Sequence, residues 1–157
     1  IVTDDFDTSV LTISRFGMAK RSRLGSGEMI AMTEGGGEQV RDERGEEVFV
    51  RDGYRRTNRG TKGVRTMSLG EDDQIVSVRQ IPDLEDQLFM LTGSGMMIRM
   101  VAGQTKETLG KVTKGTRIME LRNSERSGYV DEIVFVARLP SELVDSGEVT
   151  EGSAEEE

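Results

Sequence analysis

The chain has 157 residues, no His, no Cys and a formal net charge of -8. Without His or Cys, the composition argues against a zinc site, a disulfide framework, thiolate chemistry and a His-based triad. There is no run of eighteen apolar residues for a transmembrane helix and no basic-then-apolar leader. The size suits one buried core, and the start at Ile1 rather than Met predicts a fragment of a longer polypeptide or a processed product.

The first predicted element is a hairpin. "SVLTISR" (Ser9–Arg15) alternates and is β-branched, and "RFGMAK" turns at Gly17. A Gly- and Glu-rich insert follows at residues 25–54, read as an extended loop or mobile ribbon with a short strand at "EEVFVR" (Glu46–Arg51). Next comes "NRGTKGVRTMSL" (Asn58–Leu69), then a strand, "QIVSVRQI" (Gln74–Ile81), closed by Pro82. A second hairpin, "DQLFMLTGSGMMIRM", turns at Gly93 and Gly95. "GKVTKGTRIMEL" (Gly110–Leu121) and "DEIVFVARL" (Asp131–Leu139) follow, closed by Pro140. No stretch of twelve residues carries a helical stripe. The stripe Met90, Met96, Met97, Met100 reads as core filling, and the acids Asp72 and Asp73 as turn residues ahead of a strand.

These elements occur twice in the same order. Val10–Leu24 matches Leu88–Ala102, with Gly17, Met18 and Arg21 on Gly95, Met96 and Arg99. The T-K-G segments agree at Thr61/Thr113, Lys62/Lys114, Gly63/Gly115, Arg65/Arg117, Met67/Met119 and Leu69/Leu121. Asp73–Ile81 matches Asp131–Leu139. Each repeat, residues 5–81 and 82–141, holds about four strands, the content of one antiparallel propeller blade. The expected fold class is therefore all-β. Residues 142–157 carry seven acids and no Lys or Arg, so a disordered acidic tail is expected there. Without it the body has 21 basic against 22 acidic residues.

Basic residues gather on the turns. "RFGMAKRSR" brings together Arg15, Lys20, Arg21 and Arg23, and "YRRTNRGTKGVR" brings together Arg55, Arg56, Arg59, Lys62 and Arg65. The second repeat offers Arg99, Lys106, Lys111, Lys114 and Arg117. Neighbouring glycines let backbone N–H groups approach phosphate oxygens, so these turns suit a nucleic-acid backbone, bound with little base selectivity and strong salt dependence; on composition alone, solvated turn cations are the favoured reading, and the repeat and the resemblance below turn the expectation to duplex DNA. The tail is either a solubilising end or a polyanion that competes with DNA for the same turns.

"LTISRFGMAKRS", "NRGTKGVRTM", "DDQIVSVRQI" and "DQLFMLTGSGMMIRM", in this order, resemble the C-terminal domain of the DNA gyrase A subunit, from about Asp5 to Leu139. The resemblance implies a β-pinwheel, a propeller-like ring whose neighbouring blades exchange a strand; this chain would supply a partial ring of about two blades. It also implies DNA wrapping in support of ATP-dependent negative supercoiling, with the rest of the gyrase A subunit and the gyrase B subunit as partners, in the cytoplasm at the nucleoid. No catalytic residue is expected in this chain, and no cofactor; ATP and Mg2+ would belong elsewhere in the assembly, and no membrane is involved. The family's basic box, Q-R/K-R-G-G-R/K-G, is matched only by "TNRGTKG" (Thr57–Gly63), which keeps Arg59, Gly60, Lys62 and Gly63 but lacks the leading Gln-Arg and has Thr61 for Gly. That is the degenerate form of a later blade. The related domain of the topoisomerase IV A subunit, which selects DNA crossings, and a propeller-type protein-interaction module without nucleic acid remain alternatives.

Overall fold

A computed structural model of the chain describes residues 5–34, 38–108, 112–122 and 128–145. Nine strands are present in these residues: β1 (Ser9–Ser14), β2 (Met18–Arg23), β3 (Met29–Ala31), β4 (Phe49–Arg51), β5 (Ile75–Ile81), β6 (Gln87–Thr92), β7 (Met97–Val101), β8 (Thr116–Arg117) and β9 (Ile133–Leu139). Helix is limited, among the described residues, to a 3-10 turn at Ala102–Gln104 and one turn, α1 (Ser141–Asp145). The antiparallel all-β expectation holds. The two closing strands, β5 and β9, each end directly before a proline, where a ladder must stop for want of an N–H.

The two repeats fold with the same register. Leu11 lies opposite Arg21 and Arg79, and its counterpart Phe89 lies opposite Arg99 and Ala137. Even the irregularity recurs: the ladder slips between Ile13 and Ser14 against β5, and between Leu91 and Thr92 against β9. The cause is a shared clamp on each hairpin turn. Asp73 Oδ1 accepts the N–H of Phe16 (3.1 Å) and of Gln74 (2.9 Å). Asp131 Oδ1 accepts the N–H of Ser94 (3.0 Å) and of Glu132 (3.0 Å), and its Oδ2 accepts the Ser94 hydroxyl at 2.7 Å. An acid ahead of the closing strand thus reaches across to orient the turn of the opening hairpin.

The sheets divide the chain differently from the repeats. One sheet has the order β5-β1-β2-β8 and the other β7-β6-β9. β8 belongs to the second T-K-G segment but pairs with β2 of the first hairpin, Met18 opposite Arg117 and Ala19 opposite Thr116. This is the strand exchange that the resemblance implies. The Leu11, Ile13 and Ala19 face of the first sheet packs on the Leu88, Met90 and Val136 face of the second, in one buried cluster with Ile81, Met119 and Ile133. Each fully buried aliphatic side chain there contributes roughly 1.5–3 kcal/mol. Arg79 ties the sheets further by donating to the Val136 carbonyl at 2.9 Å.

Within the insert, β3 and β4 pair antiparallel, Met29 opposite Arg51, so its described part forms a ribbon, one of the two expected forms. Beyond this stem three backbone bonds join Met32, Val40 and Val48 in a closed triangle (Met32 N to Val48 O, Val48 N to Val40 O, Val40 N to Met32 O; 2.7–3.0 Å).

Two further expectations need correction. Met97 is not core filling but 68% exposed, while Met90 is fully buried. The acidic segment is not irregular from its start: Ser141 donates its N–H to Asp86 (3.1 Å) and its hydroxyl to Asp83 (2.7 Å), and begins α1. The remainder of the acidic tail, residues 146–157, lies outside the described residues.

The Asp131 clamp leads to a prediction. Burial raises the pKa of this carboxyl, but hydrogen bonds from Ser94, Thr92 and Glu132 outweigh burial and bring it from 3.8 to about 2. A depressed carboxylate stabilises the fold above its ordinary value, and that contribution is lost as pH falls from 3.8 towards 2. Asp131→Asn should cost about 1–3 kcal/mol at neutral pH. It should also flatten the dependence of stability on pH in that acid window, read by urea unfolding.

Candidate nucleic-acid interface

The segment Arg55–Arg65 contains five cations and no acid. Its base is fixed from both sides. Tyr54 donates its N–H to Leu24 O (2.9 Å), and its phenol lies 2.6 Å from the Thr66 hydroxyl. Thr66 Oγ1 also meets Thr12 Oγ1 at 3.2 Å, Lys20 Nζ donates to Thr66 O at 2.7 Å, and Met67 is buried. Between these anchors Arg55, Arg56, Arg59, Lys62 and Arg65 are all exposed, and none forms an ion pair among the described residues. Arg56 stacks over the Phe6 ring at 4.9 Å.

The second T-K-G segment runs beside the first, with Ser68 donating its N–H to Thr113 O at 3.0 Å. Lys114 and Arg117 are exposed beside it, and Lys106 is exposed just upstream; Lys111 lies outside the described residues. The repeated segments therefore converge on the β8 edge of the first sheet.

The hairpin cations behave otherwise. The sequence pattern puts Lys20 and Arg21 towards DNA, yet both are buried, at 1% and 8% exposure. The reason is that both faces of β2 are covered, one by the second sheet and the other by the Tyr54–Thr66 anchor. Arg21 donates to Thr105 O (2.8 Å), Ser9 Oγ (3.1 Å) and Glu107 Oε2 (2.9 Å), filling its guanidinium with internal partners. Arg15 is half-buried and bridges to Glu132 at 3.3 Å and to the Asp72 carbonyl. Arg23 is exposed but paired with Asp7 (2.9 Å) and Asp52 (3.0 Å). Arg99 is exposed, bonded to Gln87 and stacked on Phe89 at 5.8 Å. Of the fourteen turn cations named from the sequence, Arg55, Arg56, Arg59, Lys62, Arg65, Lys114 and Arg117 are exposed, outside any ion pair among the described residues, and on the two T-K-G segments or the chain leading into the first. Tyr54 and Thr66, which hold the loop, are polar and carry no charge, so charge clustering did not single them out.

Residues 49–82 and 86–126 match the family described as DNA gyrase C-terminal domain, beta-propeller. Over these residues the chain is similar to the DNA gyrase C-terminal-domain family. It is 28% identical over 152 residues to the DNA gyrase A subunit of Campylobacter jejuni, covering 96% of this chain and 13% of that protein. It is 32% identical over 97 residues to the DNA gyrase A subunit of Metamycoplasma arthritidis, covering 62% of this chain and 10% of that protein. The chain thus spans only a small part of these relatives. In fold it is similar to the E. coli ParC C-terminal domain, with a TM-score of 0.53 at 17% identity over 88% of this chain and 44% of that one.

Burial lowers the pKa of Lys20 below its usual 10.5. A buried, depressed Lys costs stability while it is charged, and the cost is relieved as pH rises towards the unfolded value. Stability of the native chain should therefore rise with pH on the approach to 10.5, and Lys20→Met should remove that rise. Because Lys20 cannot reach solvent, the same substitution should leave the salt slope of DNA binding unchanged.

Proposed function

We propose that this chain binds and wraps duplex DNA as a C-terminal part of the DNA gyrase A subunit. The observation that supports the reading most is the Arg55–Arg65 loop: five exposed cations outside any ion pair among the described residues, no acid, and a base locked by Tyr54, Thr66 and Lys20. A locked base matters because phosphate contacts made by a preformed loop cost little ordering entropy. Lys114 and Arg117 beside it extend the basic surface along one edge. Cations spread along an edge favour a duplex bent over it, offsetting a bending cost of roughly 1–6 kcal/mol for 20–30 bp. In this reading the chain does no chemistry itself. Strand passage driven by ATP and Mg2+ belongs to the rest of the gyrase A subunit and to the gyrase B subunit, in the cytoplasm at the nucleoid. The chain's contribution is to bend a segment and present it with a fixed crossing sign.

The test is anisotropy of a labelled duplex titrated across salt concentrations. Affinity should fall steeply with salt, by a slope of about 0.9 per neutralised phosphate. Reversing Arg55, Arg56, Arg59 and Lys62 to Glu should weaken binding for all sequences alike and reduce the slope by about 3–4. A flat salt response would point instead to a protein-interaction module.

The acidic tail provides a second measurement. Tethered to the same body as the basic loop, at a local concentration of roughly millimolar, it should compete with phosphate most at low salt. Truncation after Asp145 should tighten DNA binding, with a gain that shrinks as salt rises. The cut belongs there rather than after Pro140, because Ser141 closes the Asp83 and Asp86 cluster. Unchanged affinity at low salt would leave the tail only a solubilising role.

A further inference from the structure

The ribbon is an addition to the first repeat. The chain passes from Leu24 to Tyr54 there, and from Ala102 to Lys106 at the matching place in the second. Its stem is pinned: Gly27 donates its N–H to Asp52 O and Asp52 its N–H to Glu28 O, both at 2.8 Å, and the Ser26 N–H reaches Asp52 Oδ2 at 2.8 Å. Between the ribbon, β2 and the start of the basic loop lies a hollow of about 260 Å³. Ile30 and Val50, opposite each other in the β3–β4 ladder, give it an apolar lining together with Val64.

β2 contributes Lys20 and Ser22, two residues apart and therefore on one face of the strand. The corresponding residues of β7 are Ile98 and Met100, which pack against the core. The first repeat thus has polar groups where the second has apolar ones. One of them is unanswered. Ser22 is 7% exposed, and its hydroxyl has no hydrogen-bond partner among the described residues, a state that buried hydroxyls rarely keep.

The charges around the hollow do not balance. Asp52 and Glu107 line it, but each already faces an arginine, Arg23 at 3.0 Å and Arg21 at 2.9 Å. Arg51 and Arg55 also line it, and neither forms an ion pair among the described residues. We infer that this hollow is a binding site for a small organic anion. The guest lays an apolar body against Ile30, Val50 and Val64 and offers a carboxylate, sulfonate or phosphate to Arg51 and Arg55. A polar atom on it gives the Ser22 hydroxyl its missing partner. Water would satisfy the hydroxyl but not the apolar lining, and a bare inorganic anion would satisfy only the cations. The volume falls just under the roughly 300–1,000 Å³ of sites for drug-sized ligands, so the guest is one or two rings in size. With the ribbon's stem bonded in place, the hollow is formed before the guest arrives.

Naphthalenesulfonate, an apolar double ring with one acidic group, is the probe. It is titrated to about 10 mM into the isotope-labelled chain, with amide chemical shifts as the readout. Saturable shifts are expected at Ser22, Ile30, Val50, Tyr54 and Val64, with a dissociation constant of roughly 1 mM or below, the strength of a fragment-sized ligand. Naphthalenemethanol, the rings without the acid, and sulfate, the acid without the rings, should each bind at least about fivefold more weakly. Arg55→Gln should weaken the sulfonate about threefold to fivefold and leave naphthalenemethanol as it was. Ser22→Met, which places in β2 the residue that β7 has at Met100, should weaken both about tenfold by occupying the hollow. Arg55 is exposed, and unchanged amide shifts away from the hollow confirm that either variant is folded. The absence of saturable shifts at the hollow up to that concentration would overturn the inference. Shifts centred instead on the exposed Met97 and Phe135, or sulfonate binding that Arg55→Gln leaves unaltered, would do the same.

Discussion

Two rungs of backbone pairing, Met18 with Arg117 and Ala19 with Thr116, hold the halves of this molecule together. The segments they join are far apart in sequence, but the entropy of closing such a loop grows only with the logarithm of its length. The short strand is secured by what surrounds it. Gly115 approaches β2 more closely than any side chain would allow, and Met119 enters the core. Arg21 is satisfied by three internal acceptors. An arginine buried this way contributes little net stability, but removing any of its acceptors would leave a charge without water or partner. The exchange thereby makes the two sheets fold as one unit.

The repeats are equal in backbone and unequal in side chains. Thr12, Lys20 and Thr66 occupy in the first repeat the places of Met90, Ile98 and Ile118 in the second. The apolar trio belongs to the main core, while the polar trio forms a lock around one threonine. That difference accounts for the position of the basic loop. An apolar base would stabilise the sheet by burial alone, whereas the polar base also fixes where the flanking chain leaves the body.

Strands, hairpins and repeat could be read from the sequence because they depend on local pattern: β-branched alternation in Ser9–Arg15, glycine at two turns, proline after two strands. The division of cations into buried and exposed could not. "MAKRSR" has the look of an exposed edge strand, and it becomes interior only because residues about fifty and a hundred positions later cover its two faces. The same holds for Met97, where the pattern indicates a core position and only the absence of a neighbouring layer makes it surface. At 25–54 the sequence leaves loop and ribbon open, with one short strand marked, for a different reason. The ribbon's strands are three residues long, and its pairing runs through a backbone triangle that no side-chain period announces.

The sheet order β5-β1-β2-β8 has one more consequence. The opening hairpin, β1 and β2, is flanked on each side by a strand from beyond the ribbon, so its place in the sheet does not depend on the covalent link through β3 and β4. A peptide bond cut between those two strands would separate the polypeptide into two pieces without separating the fold. The N-terminal piece would stay inserted between β5 and β8, held by both ladders and by the shared core. Connectivity at the ribbon is thus dispensable to the architecture, and that is where the molecule can accept a nick, a new pair of termini or an inserted sequence.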